Sequence, residues 1–283
     1  MSRVGIAIAI VAAALVVHRC GDDLAPPARW RCATFNIENF PKHDRQISGA
    51  FNEIARLDAA VVAVQEILDP QLFAATARDR LGPDWDFVAL DTSPRDPPQI
   101  VQHLGVLFDR RVFELVATRS HDGTRLDGRY KPTFDVELRA TAGGEHVRVL
   151  VVHLKAGGDS QSIRARQYTA LRAIVAAATR PGARVILLGD FNATSDVDRS
   201  ELARLAAATH LSWASEPLAC SSFWALDDSC PRGRLDHVLT TPAATDVRAA
   251  GGCAVDGCAA QDRCPVYAEQ VSDHCPVVIT LER

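Results

Sequence analysis

Nowhere in its 283 residues does the chain hold an apolar run long enough for a comfortable membrane span, which takes roughly 20 residues. The nearest approach, Val4 to Val17 behind Arg3, has the length of a signal-peptide core instead. Asp22, Asp23, Pro26 and Pro27 follow it as a polar, proline-rich spacer. A convincing small-x-small cleavage site is missing, so the point of cleavage is not fixed. Residues 1–28 are expected to form a signal peptide or N-terminal anchor plus spacer, and residues 29–283 the working domain. The protein is then exported: secreted or periplasmic, or tethered to a membrane through its N-terminal segment. Cys20-Gly21-Asp22 leaves lipid attachment open, although His18-Arg19 suits that signal poorly.

Basic charge is also in short supply. Thirty-one Lys and Arg against 35 Asp and Glu leave a net charge of −4 and a pI near 6.1. Affinity for a polyanion would have to come from local clusters, because phosphate neutralisation by Lys and Arg dominates such binding. Internal repeats are absent, and no linker interrupts the strand-like runs, which speaks for one domain; at 47% hydrophobic residues it can build a sizeable core.

Cysteine, by contrast, is present eight times, in agreement with an oxidising compartment. Cys220 and Cys230 bracket a polar, loop-like stretch and are expected to pair with each other. Cys253, Cys258 and Cys264 crowd a Gly-rich stretch as further loop staples; zinc is the competing reading, weakened by irregular spacing and the lack of a nearby His. Cys32 and Cys275 lie inside apolar runs and read as small buried thiols.

The stretch around which the rest is arranged is Val185-Ile186-Leu187-Leu188-Gly189-Asp190-Phe191-Asn192-Ala193. Four branched aliphatics in succession read as a strand buried on both faces, ending in a carboxylate and a carboxamide. Other strand-like runs finish the same way: Cys32 to Ile37 with Asn36, Ala60 to Glu66, Val147 to His153, Arg234 to Leu239 with Asp236-His237, and Val271 to Val278 with Asp273-His274. Polar residues of these types at many strand ends are how a scaffold assembles one polar pocket. Between them, helical spacing predicts helices over Ile47 to Leu57, from Asp69-Pro70 onward, over Ser162 to Ala178 and over Ser200 to Ala208. Pro94, Pro97 and Pro98 forbid regular structure between short strands at Asp84–Leu90 and Gly105–Phe108, and that loop is expected to rim the site.

Six motifs in order, Thr34-Phe35-Asn36-Ile37, Gln65-Glu66, His153-Leu154-Lys155, Gly189-Asp190-Phe191-Asn192, Leu235-Asp236-His237 and Ser272-Asp273-His274-Cys275-Pro276, resemble those of the endonuclease/exonuclease/phosphatase superfamily. That deoxyribonuclease I-like group of metal-dependent phosphoesterases includes abasic-site endonucleases, sphingomyelinases and inositol phosphatases. The resemblance implies an α/β fold: a four-layered α/β sandwich with two packed central mixed β-sheets flanked by helices. It implies a divalent cation, Mg²⁺ with Mn²⁺ or Ca²⁺ as alternatives, on Glu66 with support from Asn36 and Asp273. It further implies that Asp190 handles the attacking water, Asn192 holds a phosphoryl oxygen and His153 donates to the phosphate or leaving group. Asp236 and Asp273 would keep His274 protonated. Tyr130, two residues before Pro132, stands where the family sets an Arg or Tyr facing the phosphate. Gln102 is a weaker candidate near the metal. His237, inside an apolar strand, reads as a packing residue.

Three functions follow from that resemblance. An exported nuclease on DNA or RNA leads, with Arg125, Arg129, Lys131, Lys155, Arg164 and Arg166 as a cationic rim to the site. The alternative is a phosphatase or phospholipase C-like enzyme on a phosphoinositide, sphingomyelin or another small phosphoester, for which Phe223-Trp224 is the candidate apolar contact with lipid. Third is a non-catalytic binding protein on the same fold. A monomer is expected in each case.

Overall fold

The computed structural model describes residues 29–90 and 101–282. The expected signal peptide or anchor, lipid attachment at Cys20 and the Pro94–Pro98 rim loop all fall outside those residues. In chain order the elements are β1 (Arg29–Phe40), α1 (Asp44–Leu57), β2 (Val61–Ile67), α2 (Pro70–Leu81), β3 (Trp85–Leu90), β4 (His103–Asp109), β5 (Phe113–His121), β6 (Thr133–Ala140) and β7 (His146–His153). There follow α3 (Gln161–Ala178), β8 (Ala183–Asp190), α4 (Asp196–Thr209), β9 (Ser212–Trp213), β10 (Ser222–Phe223), β11 (Arg232–Gly233), β12 (Asp236–Thr241), β13 (Asp246–Ala249), α5 (Gly251–Asp256), α6 (Val266–Gln270) and β14 (Val277–Glu282).

Two mixed six-stranded sheets result, with orders β13-β14-β1-β2-β4-β3 and β5-β6-β7-β8-β12-β9. The parallel pairs are β1 with β2 and β7 with β8, at the centre of each sheet. Side chains alternate across a strand, so β8 sends Ile186 and Leu188 into the core between the sheets while Val185 and Leu187 meet the helices behind. Burial on both faces is why the run is apolar without alternation. β2 divides likewise, Val61 and Ala63 toward the opposite sheet, Val62 and Val64 toward α1 and α2. Helix, sheet, sheet, helix is thus the layer order expected from the resemblance.

Helix starts are set by caps that the apolar period alone does not reveal. α1 begins at Asp44 because His43 Nδ1 accepts the Gln46 N–H at 3.0 Å, and it ends where Asp58 turns left-handed at φ 50°. α4 begins at Asp196, ahead of the expected Ser200, on a reciprocal Ser195–Asp198 capping box.

The cysteine expectations need correction. Cys220 pairs with Cys258, Cys230 with Cys264, and Cys253 with Cys275, at Cα separations of 5.5, 5.0 and 5.9 Å. Ser222 opposite Gly233 and Phe223 opposite Arg232 fix the β10–β11 register, which carried on would set Leu235, not Cys230, across from Cys220. Cys275 is therefore no buried thiol, and its disulfide ties the strand-end motif to α5. Cys32 is one, fully enclosed, with burial pushing its thiol up to about 12.

Candidate active site

Backbone irregularity places the first acidic group. β1 and β2 run in register to Asn36 opposite Gln65, break, and resume at Phe40 opposite Ile67. Within the break Glu38, Asn39 and Glu66 take positive φ values of 40°, 56° and 62°, a bulge that lifts the Glu66 carboxylate from the sheet. Its Oε1 accepts from Asn36 Nδ2 at 3.2 Å; its Oε2 accepts from the Asn39 N–H at 3.1 Å and from Gln102 Nε2 at 2.7 Å.

From the other sheet, β8 and β12 bring Asp190 opposite Asp236, and β7 sets His153 beside Asp190. Gly189 between them, at φ 141°, lies so near Val152 that an added Cβ would stand 2.0 Å from its carbonyl oxygen, so no larger residue serves there. Asn36 Nδ2 also donates to Asp190 Oδ2 at 3.1 Å, joining the two sheets by one carboxamide. His274, three residues ahead of β14, gives Nδ1 to Asp236 Oδ2 at 2.8 Å and holds Nε2 3.8 Å from Asp190 Oδ2 and 3.9 Å from Asp273 Oδ1.

Electrostatics separates these groups. Burial lifts the Asp190 carboxyl to about 7, with Asp236 and Glu66 pushing the same way against His274 and the Asn192 N–H. Burial alone would strip the proton from His274, but Asp236, Asp190 and Asp273 outweigh it and hold the imidazole cationic well above its ordinary range. His153 goes the opposite way: burial, with Lys131 and His274 adding like charge, drives it well below and leaves it neutral. Asp273 is raised to about 6 by burial, with Glu38 and Glu66 adding to it against His274.

The expected residues Asn36, Glu66, His153, Asp190, Asp236, Asp273 and His274 therefore share one pocket. Asn192 is adjacent, with its backbone N–H on Asp190 Oδ1 at 2.8 Å and its carboxamide Nδ2 on Leu154 O at 3.1 Å. That backbone N–H steadies the Asp190 carboxylate, while one of the two carboxamide N–H groups is taken by Leu154 O. Among the described residues Tyr130 makes no hydrogen bond to this group. Its neighbour Lys131 reaches it, through Nζ to Gln102 Oε1 at 2.9 Å, with Glu66 and Asp190 opposing the depression that burial imposes on its ammonium. Gln102, read only weakly from sequence, bridges Lys131 and Glu66. Ser221 had no sequence signal; it donates to Asp236 Oδ2 at 2.8 Å from the start of the β10–β11 hairpin, 15 residues earlier.

Two other expectations fail. Arg164 is not a rim residue: it is fully buried, paired with Asp198 at 2.7 Å and bonded to Lys155 O and Gly157 O. Phe223 is buried too, which leaves Trp224, 55% exposed, without its partner in any apolar contact surface. His237 packs as expected, between Phe191 and Trp213.

A divalent cation fits this donor set. Asp190, Asp236 and His274 offer ligand atoms within 4.8 Å of one another, but the Asp236 oxygen is committed to His274, and a protonated imidazole binds no metal. The oxygen-only group of Glu66, Asn36 and Asp273 suits a hard cation better, and Asp273 Oδ1 is a buried acceptor without a hydrogen-bond partner. A separate cavity of about 800 Å³ lies where β1 begins, but charges in it are matched internally, Arg31 to Asp58 and Arg111 to Asp109.

Comparison with known proteins gives the same picture. The model of the Endonuclease/Exonuclease/phosphatase family matches residues 33–274. No curated protein matches the chain by sequence. Among solved structures, the human Nocturnin catalytic domain with bound sulfate superposes with a TM-score of 0.68 at 17% identity, covering 90% of this chain and 95% of that one. TDP2 of D. rerio with a single-strand DNA product gives 0.66 at 14%, covering 89% and 98%. A mannosyl-6-phosphatase of Bacteroides thetaiotaomicron gives 0.60 at 15%, covering 89% and 99%.

Proposed function

The chain belongs to the endonuclease/exonuclease/phosphatase family, and on that premise we propose that it is an exported, metal-dependent phosphodiesterase that hydrolyses nucleic acid by attack of water. The observation that carries this reading is the pairing of a buried carboxyl near neutrality, Asp190, with a cationic imidazole, His274, across 3.8 Å in a pocket edged by Glu66.

A base poised near neutral pH can take a proton from water without being protonated beforehand, and Asp190, steered by the Asn192 N–H, fills that role. His274, held by Asp236, which Ser221 in turn bonds, presents fixed positive charge where the phosphoryl oxygens gain negative charge. Neutral His153 can donate one N–H to the phosphate or leaving oxygen but has no excess proton to give, so its part is orientation and hydrogen bonding. Glu66, Asn36 and Asp273 would hold Mg²⁺, which when bound supplies charge neutralisation to the phosphoryl group. The three disulfides speak for an oxidising compartment and so for export.

Purified protein incubated with plasmid, RNA, sphingomyelin and phosphoinositide in Mg²⁺ tests the reading. Nucleic acid should be cut, and excess EDTA should abolish cutting. Turnover restricted to the lipid or inositol substrates would overturn the nuclease assignment, and full activity after exhaustive chelation would remove Glu66 as a metal ligand.

A further inference from the structure

Beside the pocket runs a groove of about 450 Å³, lined among others by Ala193, Thr194, Arg199, Trp224, Arg232 and Arg234. It is continuous with the catalytic strand ends. Ala193 follows Asn192, Leu235 in its wall precedes Asp236, and Ser222 in its floor bridges the His274 backbone. The disulfides Cys220–Cys258 and Cys230–Cys264 pin the loops that build it.

Its cations are unusual. Arg199 pairs with Asp196, but Arg232 and Arg234 have no carboxylate in ion-pair contact among the described residues. Arg232 Nη1 donates to Cys230 O at 3.1 Å, and its guanidinium lies 4.3 Å over the Phe223 ring. Arg234 Nη1 donates to Leu218 O at 2.9 Å and to Glu216 O, with the guanidinium over Trp213 at 5.5 Å. Carbonyls and ring faces fix the positions of both side chains without neutralising them. Burial holds both below the ordinary arginine value, with Arg199 adding to it for Arg234, while Asp256 opposes it for Arg232 and Glu216 for Arg234 from beyond ion-pair contact. A half-buried cation with no carboxylate in direct contact can still gain from an anion that binds from outside. Trp224, 55% exposed in the same wall, offers a flat ring to solvent.

We propose that this groove seats the nucleotide flanking the scissile phosphate of a single-stranded nucleic acid, with its phosphate on Arg232 and Arg234 and its base against Trp224. The proposal rests on the nuclease reading of the adjoining pocket and names the strand form it takes. A groove of this volume holds about one nucleotide, and a base can reach an aromatic wall only when unstacked and unpaired, which a duplex does not offer.

The test is equilibrium binding of a short fluorescent single-stranded oligodeoxynucleotide to the Asp190→Asn protein in Mg²⁺, with a thermal melt of every variant. Arg232→Gln with Arg234→Gln should weaken binding at least about tenfold and reduce the log–log salt slope by about 0.7, the share of one lost phosphate contact. Arg232→Lys with Arg234→Lys should keep the slope. Trp224→Ala should cost roughly tenfold and Trp224→Phe much less, on the scale of one base–aromatic stack. Affinity and slope unchanged in variants that melt like the parent would overturn the groove, as would tighter binding of a duplex through the same residues. So would loss of binding to phosphatidylserine vesicles in its place, which would make it a lipid contact. Hydrolysis of bis(p-nitrophenyl) phosphate by the unaltered protein reads the pocket alone: its absence would sink the phosphodiesterase reading while the oligonucleotide affinities still decide the groove.

Discussion

The pocket and the stapled segment beside it are built by opposite means. Asp190, Asp236, His153 and Asn36 stand on strands whose backbones are paired and whose other faces are packed in apolar core, so each side chain is aimed by register. Residues 220–233 and 251–276 have short strands, two short helices and a small cluster of half-cystines around Phe223, and three cross-links do what a core does elsewhere. A register-built site tolerates little displacement; a cross-linked one can carry loops of any conformation that the links allow. His274 belongs to both, since Cys275 next to it is linked to Cys253 while its ring is held by Asp236 of β12.

The sharpest way to break the first region is Arg164→Ala. That guanidinium is the fully buried strut between the loop after β7, through Lys155 O and Gly157 O, and the start of α4, through Asp198. Removing it leaves Asp198 buried without its partner, which should cost about 3–5 kcal/mol in a denaturant melt. A variant as stable as the parent, with only KM raised, would restore Arg164 to the rim.

Asp190→Asn should leave the register intact and remove only the chemistry. The fold should melt at or above the parental temperature, since a costly buried charge is gone, while kcat falls roughly 10²–10³-fold, the scale of losing one group that acts on transition-state charge. Near-parental kcat with an unchanged melt would refute the pocket as a catalytic site.

In the second region the comparable break is reduction. Cys253→Ser with Cys275→Ser should destabilise by about 2–4 kcal/mol if closing that loop acts chiefly on the unfolded chain. Activity should fall less than in Asp190→Asn, because Asp236 still holds the His274 ring. Non-reduced peptide mapping that recovered a Cys220–Cys230 peptide would contradict the linkage.

The same contrast explains what could be read in advance. Strand ends such as Leu188-Gly189-Asp190 were legible because apolar patterning gives both the strand and the point where it leaves the core. Six motifs in order then gave the fold. Connectivity among Cys220, Cys230, Cys253, Cys258, Cys264 and Cys275 was not legible, since spacing says nothing about which loops meet. Arg164 misled for a related reason: in the first turn of a helix an Arg looks solvent-bound, and only the fold reveals that Asp198, 34 residues on, is buried against it. Lys131, beside Tyr130, was passed over for a place in the pocket because only the fold brings its Nζ to Gln102 Oε1.

His237 marks the boundary between the regions and gives the smallest expected effect. Trp213 Nε1 donates to its Nδ1 at 3.2 Å, so the neutral tautomer carries its proton on Nε2, in a fully buried site. Burial, with Arg234 and Arg199 adding like charge, lowers its pKa to about 3, against an ordinary 6.5. The unfolded chain therefore binds the proton first as pH drops, and stability falls with pH from 6.5 down toward 3. At pH 5 the loss amounts to roughly 2 kcal/mol, and above pH 7 it vanishes. His237→Asn keeps an acceptor near Nδ1 and does not titrate. It should lower the melting temperature at pH 7.5 through lost packing, yet lose less than the parent between pH 7.5 and 5. Carboxylates held low by arginine, such as Asp135 and Asp198, weaken both proteins alike and cancel in that difference. Parallel melting curves for the two across this window would mean that the folded protein accommodates a charged His237, and that β12 is open to water at the point where the strand-built pocket meets the stapled segment.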